Sequence, residues 1–220
     1  MIGKTEIKVM LVDDHVLVRT GIRRLIEDVE HIRVVGEAES GEEALVLYKS
    51  LQPDVVLLDI SMPGIGGIEA TRRIIKHDEK AGIIVLSVHA EKAFPKRLLE
   101  AGAKGYLTKG CNVEEIIDAI NTVSRGENYL SPSIAQSLAL TLIPGNSASP
   151  VDALSRREFQ VMTMIAQGLG NQKISDSLCL SPKTISTYRV RLLDKLGVSS
   201  EAELVKFAID NGIVDSQDQQ

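Results

Sequence analysis

Three features are scarce in this chain: paired cysteines, long apolar runs and an excess of positive charge. The only cysteines, Cys111 and Cys179, lie far apart in the sequence, so we expect reduced thiols and no disulfide. No apolar run approaches membrane-spanning length, and the first six residues lack the pattern of a signal peptide. We therefore expect a cytoplasmic protein with no membrane partner.

The composition is that of an ordinary globular protein. Of its 220 residues, 44% are hydrophobic and 25% charged, which leaves room for two modest cores. The net charge of −5 says little about partners, because it averages over regions of different character. Residues 131–220 contain eight Lys or Arg and nine Asp or Glu, so the C-terminal part is not basic as a whole.

Ionisable and hydroxyl residues follow the apolar runs of the N-terminal half. Asp13 and Asp14 follow the first run, and Asp59, Ser87 and Lys109 follow three later ones. Because the carboxyl ends of parallel strands meet at one edge of a sheet, we expect these side chains to converge. Clustered acids repel unless a cation neutralises them, and Mg²⁺ prefers a few carboxylates with positions left open for phosphate oxygens. An aspartate beside that ion can attack a phosphoryl group and hold it as an acyl phosphate.

Several of these residues have a simpler interpretation. Asp14 could cap a helix, and Lys109 could be a solvated loop lysine. The glycines in 64–67 could belong to a dinucleotide-binding loop, but the G-x-G-x-x-G spacing is absent. We expect instead that they let the chain turn tightly beside Asp59, with the Ser61 carbonyl placed to reach a metal.

Apolar runs alternate with amphipathic helical patterns through the first 126 residues, which predicts a doubly wound α/β domain. Ser40 and Glu43 have the spacing of a capping box, which predicts a helix through Leu51. A helix over 132–142 is followed by a stretch to Val151 that is rich in Pro, Gly and Ser. That stretch predicts a flexible linker, so the two halves can reorient.

The last segment has the pattern of four short helices. Ser155 and Glu158 have a second capping-box spacing, and Ser181-Pro182 supplies an N-cap followed by proline at the first helical position. Two helices joined by a short turn, the second strongly capped, predict a helix-turn-helix. We expect a first domain over 1–126, a helix and linker over 127–152 and a small all-α domain over 153–214.

The helix after Ser181 can be projected at about 100° per residue. Ile185, Leu192 and Leu196 fall on one side and are expected to pack inward. The opposite face is small, polar and mildly basic, which suits a DNA major groove, although a solvated helix with ordinary surface charges is the alternative. The candidate DNA-binding residues are Lys183, Thr184, Ser186, Thr187, Arg189, Val190, Arg191 and Lys195.

These motifs resemble a known family. The N-terminal half looks like the receiver domain of bacterial response regulators, and the C-terminal part resembles the DNA-binding domain of the NarL/FixJ (LuxR-type) regulators. More narrowly, the chain resembles the GacA/UvrY subgroup. The runs that carry the receiver resemblance are Leu11–His15, Leu57–Gly64, Leu86–Ser87 and Ala101–Lys109, and the output resemblance rests on Leu154–Glu158, Leu180–Ile185 and Lys195–Val198.

The resemblance implies a flavodoxin-like, five-stranded parallel sheet followed by a small helix-turn-helix domain. It implies that Asp59 accepts a phosphoryl group from a sensor histidine kinase, of hybrid type in this subgroup. Mg²⁺ would be held by Asp13, Asp14, Asp59 and the Ser61 carbonyl, and Lys109 would contact the phosphoryl group.

Ser87 and Tyr106 are the switch residues that the resemblance implies. Phosphorylation adds about two negative charges and new acceptor oxygens to Asp59. Ser87 could move toward them and vacate space into which Tyr106 turns, which changes the surface around the fourth helix and fifth strand. The alternative for Tyr106 is a half-buried strand aromatic with no moving part.

The implied function is that of a transcription regulator which dimerises on double-stranded DNA when phosphorylated and acts with RNA polymerase, with small regulatory RNA genes among its targets. Such a protein is not an enzyme, beyond assisting its own phosphotransfer and dephosphorylation. Two alternatives stay open. One is a phosphorylation-controlled protein-interaction module that binds no DNA. The other is an Asp-nucleophile phosphatase, although the D-x-D spacing is absent after Asp59.

Overall fold

A computed structural model describes residues 6–87, 95–141 and 150–214. The chain divides into two units, Met1–Ala139 and Leu140–Gln220. Residues 142–149, which include most of the predicted linker, lie outside the described part of the chain.

The first unit is built on a parallel sheet with the strand order β2-β1-β3-β4-β5-β6. Its central strands are buried on both faces, because helices cover a doubly wound sheet on both sides. This burial explains why the strands occur in the sequence as nearly continuous apolar runs. The strands are β1 (Ile7–Val12), β2 (Ile32–Ala38), β3 (Val55–Asp59), β4 (Gly82–Ser87), β5 (Gly105–Thr108) and β6 (Tyr129–Leu130).

The sixth strand corrects the prediction of a five-stranded sheet. Gly126, with φ of +84°, turns the chain back toward the sheet, and the Tyr129 amide then donates to the Lys104 carbonyl at 2.8 Å. This strand pairs with β5 over two residues only. Two residues are too short to show alternation in the sequence, so the strand could not be recognised there.

In the part of the chain that the structure describes, six helices belong wholly or mainly to the first unit. Ser40 caps the second as predicted, since its hydroxyl accepts from the Glu43 amide. The Glu43 carboxylate, however, accepts from the Glu39 amide and not from Ser40, so the reciprocal half of the capping box is displaced by one residue. The helices are α1 (Val16–Glu27), α2 (Gly41–Leu51), α3 (Gly66–His77), α4 (Pro95–Glu100), α5 (Val113–Ser124) and α6 (Pro132–Thr141).

Within residues 150–214, the second unit forms a 3₁₀ turn (Pro150–Ala153) and four helices. The capping box at Ser155 is complete: its hydroxyl accepts from the Glu158 amide, and the Glu158 carboxylate accepts from the Ser155 amide. Ser181 caps the third helix. The helices are α7 (Arg156–Ala166), α8 (Asn171–Leu178), α9 (Pro182–Leu196) and α10 (Glu201–Asp210). No helix in the described ranges is both long and apolar enough to cross a membrane.

Candidate functional site

Asp13, Asp59 and Lys109 meet at the carboxyl edge of the sheet. Asp13 directly follows β1, Asp59 ends β3 and Lys109 directly follows β5. The Lys109 Nζ atom lies 2.9 Å from Asp13 Oδ2 and 3.1 Å from Asp59 Oδ2, so one ammonium bridges the two carboxylates. The backbone amide of Lys109 donates to the Ser87 carbonyl at 2.7 Å, which anchors the lysine to the end of β4.

Asp14 and His15 complete the cluster. Together with Asp13 and Asp59, each offers one ligand atom, and all four atoms lie within 4.8 Å of one another. The His15 Nδ1 atom lies 3.0 Å from Asp14 Oδ1 and 3.3 Å from Asp13 Oδ1. Sequence reasoning did not assign His15 to the site, although its position directly after two acids was the available signal.

The carboxylates carry more negative charge than their surroundings neutralise. Burial raises the pKa of Asp59 to about 6, with Lys109 opposing the rise and Asp13 adding to it. Burial also raises the pKa of Asp14, against the opposing effect of His15. For Lys109, burial acts to lower the pKa, but Asp59 and Asp13 outweigh it and raise the pKa above its ordinary value. The site therefore favours an additional cation.

The donor set fits a hard divalent ion. Asp59 is fully buried, and its Oδ1 atom makes no hydrogen bond of good geometry to the described residues. The Ser61 backbone, in the loop after β3, also acts to lower the pKa of that carboxyl. Buried carboxylate oxygens are the ligands that Mg²⁺ prefers.

The glycines after β3 let the chain turn tightly beside Asp59, as predicted. A Cβ atom on Gly67 would lie 2.1 Å from the Asp59 carbonyl oxygen, so no larger residue fits there. Gly64 and Gly66 have φ of +79° and +72°, which is the left-handed region that favours glycine. The Glu42 carboxylate accepts from the Ile65 amide at 3.1 Å and holds this turn against α2.

Ser87 and Tyr106 are both buried on neighbouring strands, and Ser87 ends β4 at the edge of the sheet where the acid cluster lies. Tyr106 has 0% of its surface exposed, so the half-buried alternative is not what the structure contains. Burial raises the pKa of the Tyr106 phenol far above its ordinary range, and the Ser87 hydroxyl acts in the opposite direction. The aromatic ring therefore lies inside the domain.

In the second unit, α9 packs as predicted. Ile185, Leu192 and Leu196 are buried, and the opposite face is exposed. Lys183 and Arg191 are exposed on that face, and among the described residues neither side chain has a hydrogen-bond or ion-pair partner.

Val190 lies between these charges with 68% of its surface exposed. Thr187 is also exposed, and its hydroxyl donates to the Lys183 carbonyl at 3.1 Å. The outer face of α9 therefore combines two unpaired cations, a hydroxyl and an apolar side chain.

Two basic residues of α9 have partners within the same unit. Arg189 forms an ion pair with Glu201 and donates to the Leu169 carbonyl at 3.3 Å. The Lys195 Nζ atom lies 2.8 Å from an Oε2 atom of Glu158, the same residue that completes the capping box of α7. These contacts attach α9 to α7, to α10 and to the turn before α8.

Hydroxyl groups at the start of α9 are also engaged. Ser186 donates to the Pro182 carbonyl at 3.1 Å and accepts from the Asn171 amide group at 3.1 Å. The Thr184 hydroxyl lies 2.8 Å from the Ser181 hydroxyl. Ser186 therefore links the start of α9 to α8, whereas Thr184 contacts the N-cap residue of its own helix.

Two sequence families cover most of the chain. Residues 9–121 match the response regulator receiver domain, and residues 152–208 match the luxR family of bacterial regulatory proteins. The chain is 51% identical to the response regulator GacA of Pseudomonas aeruginosa over 211 residues, which covers 96% of this chain and 99% of that protein. The chain is a response regulator. It belongs to the receiver family in its first unit and to the LuxR family in its second.

Further relatives agree with this membership. The response regulator is 47% identical to UvrY of Escherichia coli over 212 residues, covering 96% of this chain and 97% of that protein. Its fold is also similar to that of RcsB from Salmonella enterica serovar Typhimurium, with a TM-score of 0.73 and 27% identity over 92% of this chain and 98% of that one. That RcsB structure is bound to promoter rprA in the presence of the phosphomimetic BeF₃⁻. The predicted receiver and helix-turn-helix classes are confirmed by these matches.

Proposed function

We propose that this response regulator stores a phosphoryl group on Asp59 and reports it by binding double-stranded DNA through α9. The observation that carries the first half is the Lys109 ammonium, which bridges Asp13 and Asp59 at 2.9 and 3.1 Å inside a cluster of buried acids. A charge arrangement of this kind is suited to a reaction that brings more negative charge to the same place.

Asp13, Asp14, Asp59 and the Ser61 carbonyl are the groups that would hold Mg²⁺. When bound, the ion offsets carboxylate charge and supplies positions for phosphoryl oxygens. The buried Oδ1 atom of Asp59, which has no hydrogen-bond partner among the described residues, supports this assignment. Because Asp59 has a pKa of about 6, most molecules hold it as a carboxylate at neutral pH.

The phosphoryl donor is a phosphohistidine of a sensor histidine kinase, which we infer to be of hybrid type. An oxygen of the Asp59 carboxylate attacks the phosphorus, an O–P bond forms, the N–P bond breaks and the imidazole takes the electron pair. Lys109 then moves its ammonium from the Asp59 oxygen to a phosphoryl oxygen. Since the product stays on Asp59, the domain assists its own phosphotransfer and dephosphorylation and is not an enzyme acting on other substrates.

Ser87 and Tyr106 convert the new charge into a change of surface. The Ser87 hydroxyl donates to a phosphoryl oxygen and moves away from the Tyr106 phenol. The phosphoryl group favours the arrangement in which Tyr106 is packed inside the domain, the position in which its side chain is fully buried. Phosphorylation on this view shifts a population.

The DNA contacts fall to the exposed face of α9. Lys183 and Arg191 are free to contact phosphates or guanine, and Val190 is placed to contact a thymine methyl group. Thr184, Ser186 and Thr187 line the start of the same face. Arg189 and Lys195 act differently on this proposal, because their ion pairs hold the helix in place.

The remaining assignments complete the proposal. Domains extend over 1–126 and 153–214, with a helix and linker over 127–152. Active molecules pair on a two-fold DNA site, where half-site spacing reflects the symmetry of the dimer. They act with RNA polymerase, and small regulatory RNA genes are among the targets, as the similarity to GacA and UvrY supports.

The test uses the full-length chain and a pool of fragmented genomic DNA. Protein treated with acetyl phosphate and Mg²⁺ is expected to enrich a small set of two-fold sites, and untreated protein to enrich them less. Sedimentation at micromolar concentration is expected to show a larger species after treatment. Enrichment of no sequence under either condition would favour the protein-interaction module, and identical behaviour of both samples would contradict phosphorylation control.

A further inference from the structure

Arg19, on the first turns of α1, is a charged residue that the mechanism above does not use. Only 8% of its side chain is exposed. Burying a guanidinium costs desolvation free energy unless hydrogen bonds and opposite charges compensate it, so its contacts indicate why it is buried.

The guanidinium has three separate acceptors. Its Nη1 atom donates to the Asp13 backbone carbonyl at 2.6 Å. Its Nε atom donates to Glu37 at the end of β2, and its Nη2 atom donates to Glu39 just beyond, both at 2.8 Å. Arg19 therefore ties the loop after β1 to the end of the neighbouring strand.

The Asp13 carbonyl belongs to the peptide that joins Asp13 to Asp14. On the other side, the Asp13 amide donates to the Ala38 carbonyl at 3.1 Å, so both backbone polar groups of Asp13 are held. Because a peptide is planar, fixing this carbonyl also fixes the positions of the Asp14 N and Cα atoms. The two carboxylates thus have a defined orientation toward Asp59.

The charge of Arg19 does not offset the charge of the acid cluster. Its charge is paired with Glu37 and Glu39; burial acts to lower the pKa of Arg19, but the hydrogen bonds to these two acids raise it. The residue can hold the loop without lowering the affinity of the cluster for a cation. Lysine could not replace it, because a guanidinium presents donors in a fixed, planar fork.

We propose that Arg19 is a positioning residue for the divalent-ion site: it orients the Asp13–Asp14 peptide through its bond to the Asp13 carbonyl. This inference rests on the proposed function, since it assumes that the acid cluster holds Mg²⁺. It goes further in assigning the geometry of that site to a residue which touches neither the ion nor the phosphoryl group.

Arg19→Gln tests the proposal because a pure charge effect and a positioning role predict opposite changes in Mg²⁺ affinity. Removing a cation near three acids tightens Mg²⁺ binding if only charge matters. If Arg19 positions the acid pair, binding weakens by about tenfold, the scale seen when a group behind a metal ligand is lost. Titration of the metal-free, full-length protein with MgCl₂, followed by amide NMR signals near Asp59, gives the Kd and shows whether the fold is retained.

Arg23→Gln is the matched control. Arg23 also pairs with Glu37, at 2.7 Å, but it does not contact Asp13 and is 46% exposed. Its variant is expected to bind Mg²⁺ as the unaltered chain does. Equal or tighter binding by Arg19→Gln, or the same weakening in Arg23→Gln, would overturn the positioning role.

A second variant keeps the test decisive if Arg19→Gln does not fold. Arg19→Lys retains the charge but cannot serve three acceptors in fixed directions, so weaker Mg²⁺ binding is again expected, and unchanged binding would contradict the proposal. Mg²⁺ binding by the unaltered chain tests the proposed function, and binding by the Arg19 variants tests the positioning role. If it binds no Mg²⁺, the proposed function fails together with this inference, whereas normal binding by the unaltered chain and the Arg19 variants removes the inference alone.

Discussion

Each unit of this response regulator contains a buried carboxylate paired with a lysine, and the two pairs behave differently. Asp59 lies 3.1 Å from Lys109, and Glu158 lies 2.8 Å from Lys195. Yet the pKa of Asp59 is raised to about 6, while the pKa of Glu158 is lowered. The distance to the lysine therefore does not decide whether the pKa of the carboxylate is raised or lowered.

The surroundings of the two carboxylates explain the difference. Glu158 accepts hydrogen bonds from Ser155, and no second acid adds to its charge. Asp59 is more deeply buried, shares its lysine with Asp13, and its Oδ1 atom has no hydrogen-bond partner among the described residues. The first pair is complete in itself and stabilises the fold. The second is incomplete, which suits a site that receives a cation and a phosphoryl group.

The largest effect is expected from neutralising each carboxylate and testing for phosphorylation. Asp59→Asn should abolish labelling by acetyl phosphate in the presence of Mg²⁺, because the attacking oxygen is gone. Glu158→Gln should be labelled like the unaltered chain. Phosphate-affinity electrophoresis measures both. Labelling of Asp59→Asn at another carboxylate would show that the acceptor is assigned wrongly.

The next effect concerns stability in the absence of divalent ions. The pKa of Asp59 is about 6 in the folded chain and 3.8 in the unfolded chain, so the folded state binds this proton more tightly. The protonated carboxyl therefore adds to the free energy of unfolding below pH 3.8, and this contribution is lost as the pH rises through 6. At pH 7 Asp59→Asn, which does not titrate, should be more stable than the unaltered chain by roughly 1 to 3 kcal/mol. Hydrogen exchange in β1 and β3 measures this.

Added Mg²⁺ provides the control for that prediction. It should slow exchange in the unaltered chain and have a smaller effect on Asp59→Asn, since the variant lacks one charged ligand. Faster exchange in the variant at pH 7 would mean that Lys109 neutralises Asp59 more completely than its raised pKa indicates.

Glu158→Gln should destabilise the second unit. The variant loses the charge of the pair, but Lys195 is 41% exposed and solvent screens it, so the loss is about 1 to 2 kcal/mol. Because the folded-state pKa of Glu158 lies below its ordinary 4.5, its contribution is present above pH 4.5 and disappears as the pH falls through the lower folded value. Hydrogen exchange in α7 and α9 should be faster in the variant, with exchange in β3 unchanged.

The smallest expected effect separates paired from unpaired cations on α9. Lys183→Ala and Arg191→Ala should each weaken duplex binding by about 1 kcal/mol, because each removes an unpaired charge from the exposed face. Lys206→Ala, which removes an exposed charge from α10, is the control and should bind normally. Fluorescence anisotropy with an enriched site measures all three, and equal affinities throughout would contradict α9 as the DNA-binding helix.

The convergence of Asp13, Asp59, Ser87 and Lys109 was predictable because parallel topology places the ends of apolar runs at one edge. The buried face of α9 followed from helical periodicity in the same way. Both predictions depend on regular strands and helices, whose side chains repeat at fixed intervals that are visible in the sequence.

Contacts between distant side chains were not predictable. Arg189 and Lys195 look like free cations in the sequence, and only the packing of α9 against other helices gives them Glu201 and Glu158 as partners. Arg19 reads as an ordinary helical arginine for the same reason. Strand β6 was missed because two residues carry no periodic signal.

The ion pairs of α9 have a consequence for counterion release. A cation that already has a carboxylate partner brings no net charge to a phosphate, so Arg189 and Lys195 should displace few ions from DNA. The logarithm of the binding constant falls with the logarithm of salt by about 0.9 per phosphate neutralised. Helix α9 contains four basic residues, but only Lys183 and Arg191 lack a carboxylate partner among the described residues. The contribution of α9 to the salt dependence of DNA binding, per protomer, should therefore correspond to these two cations.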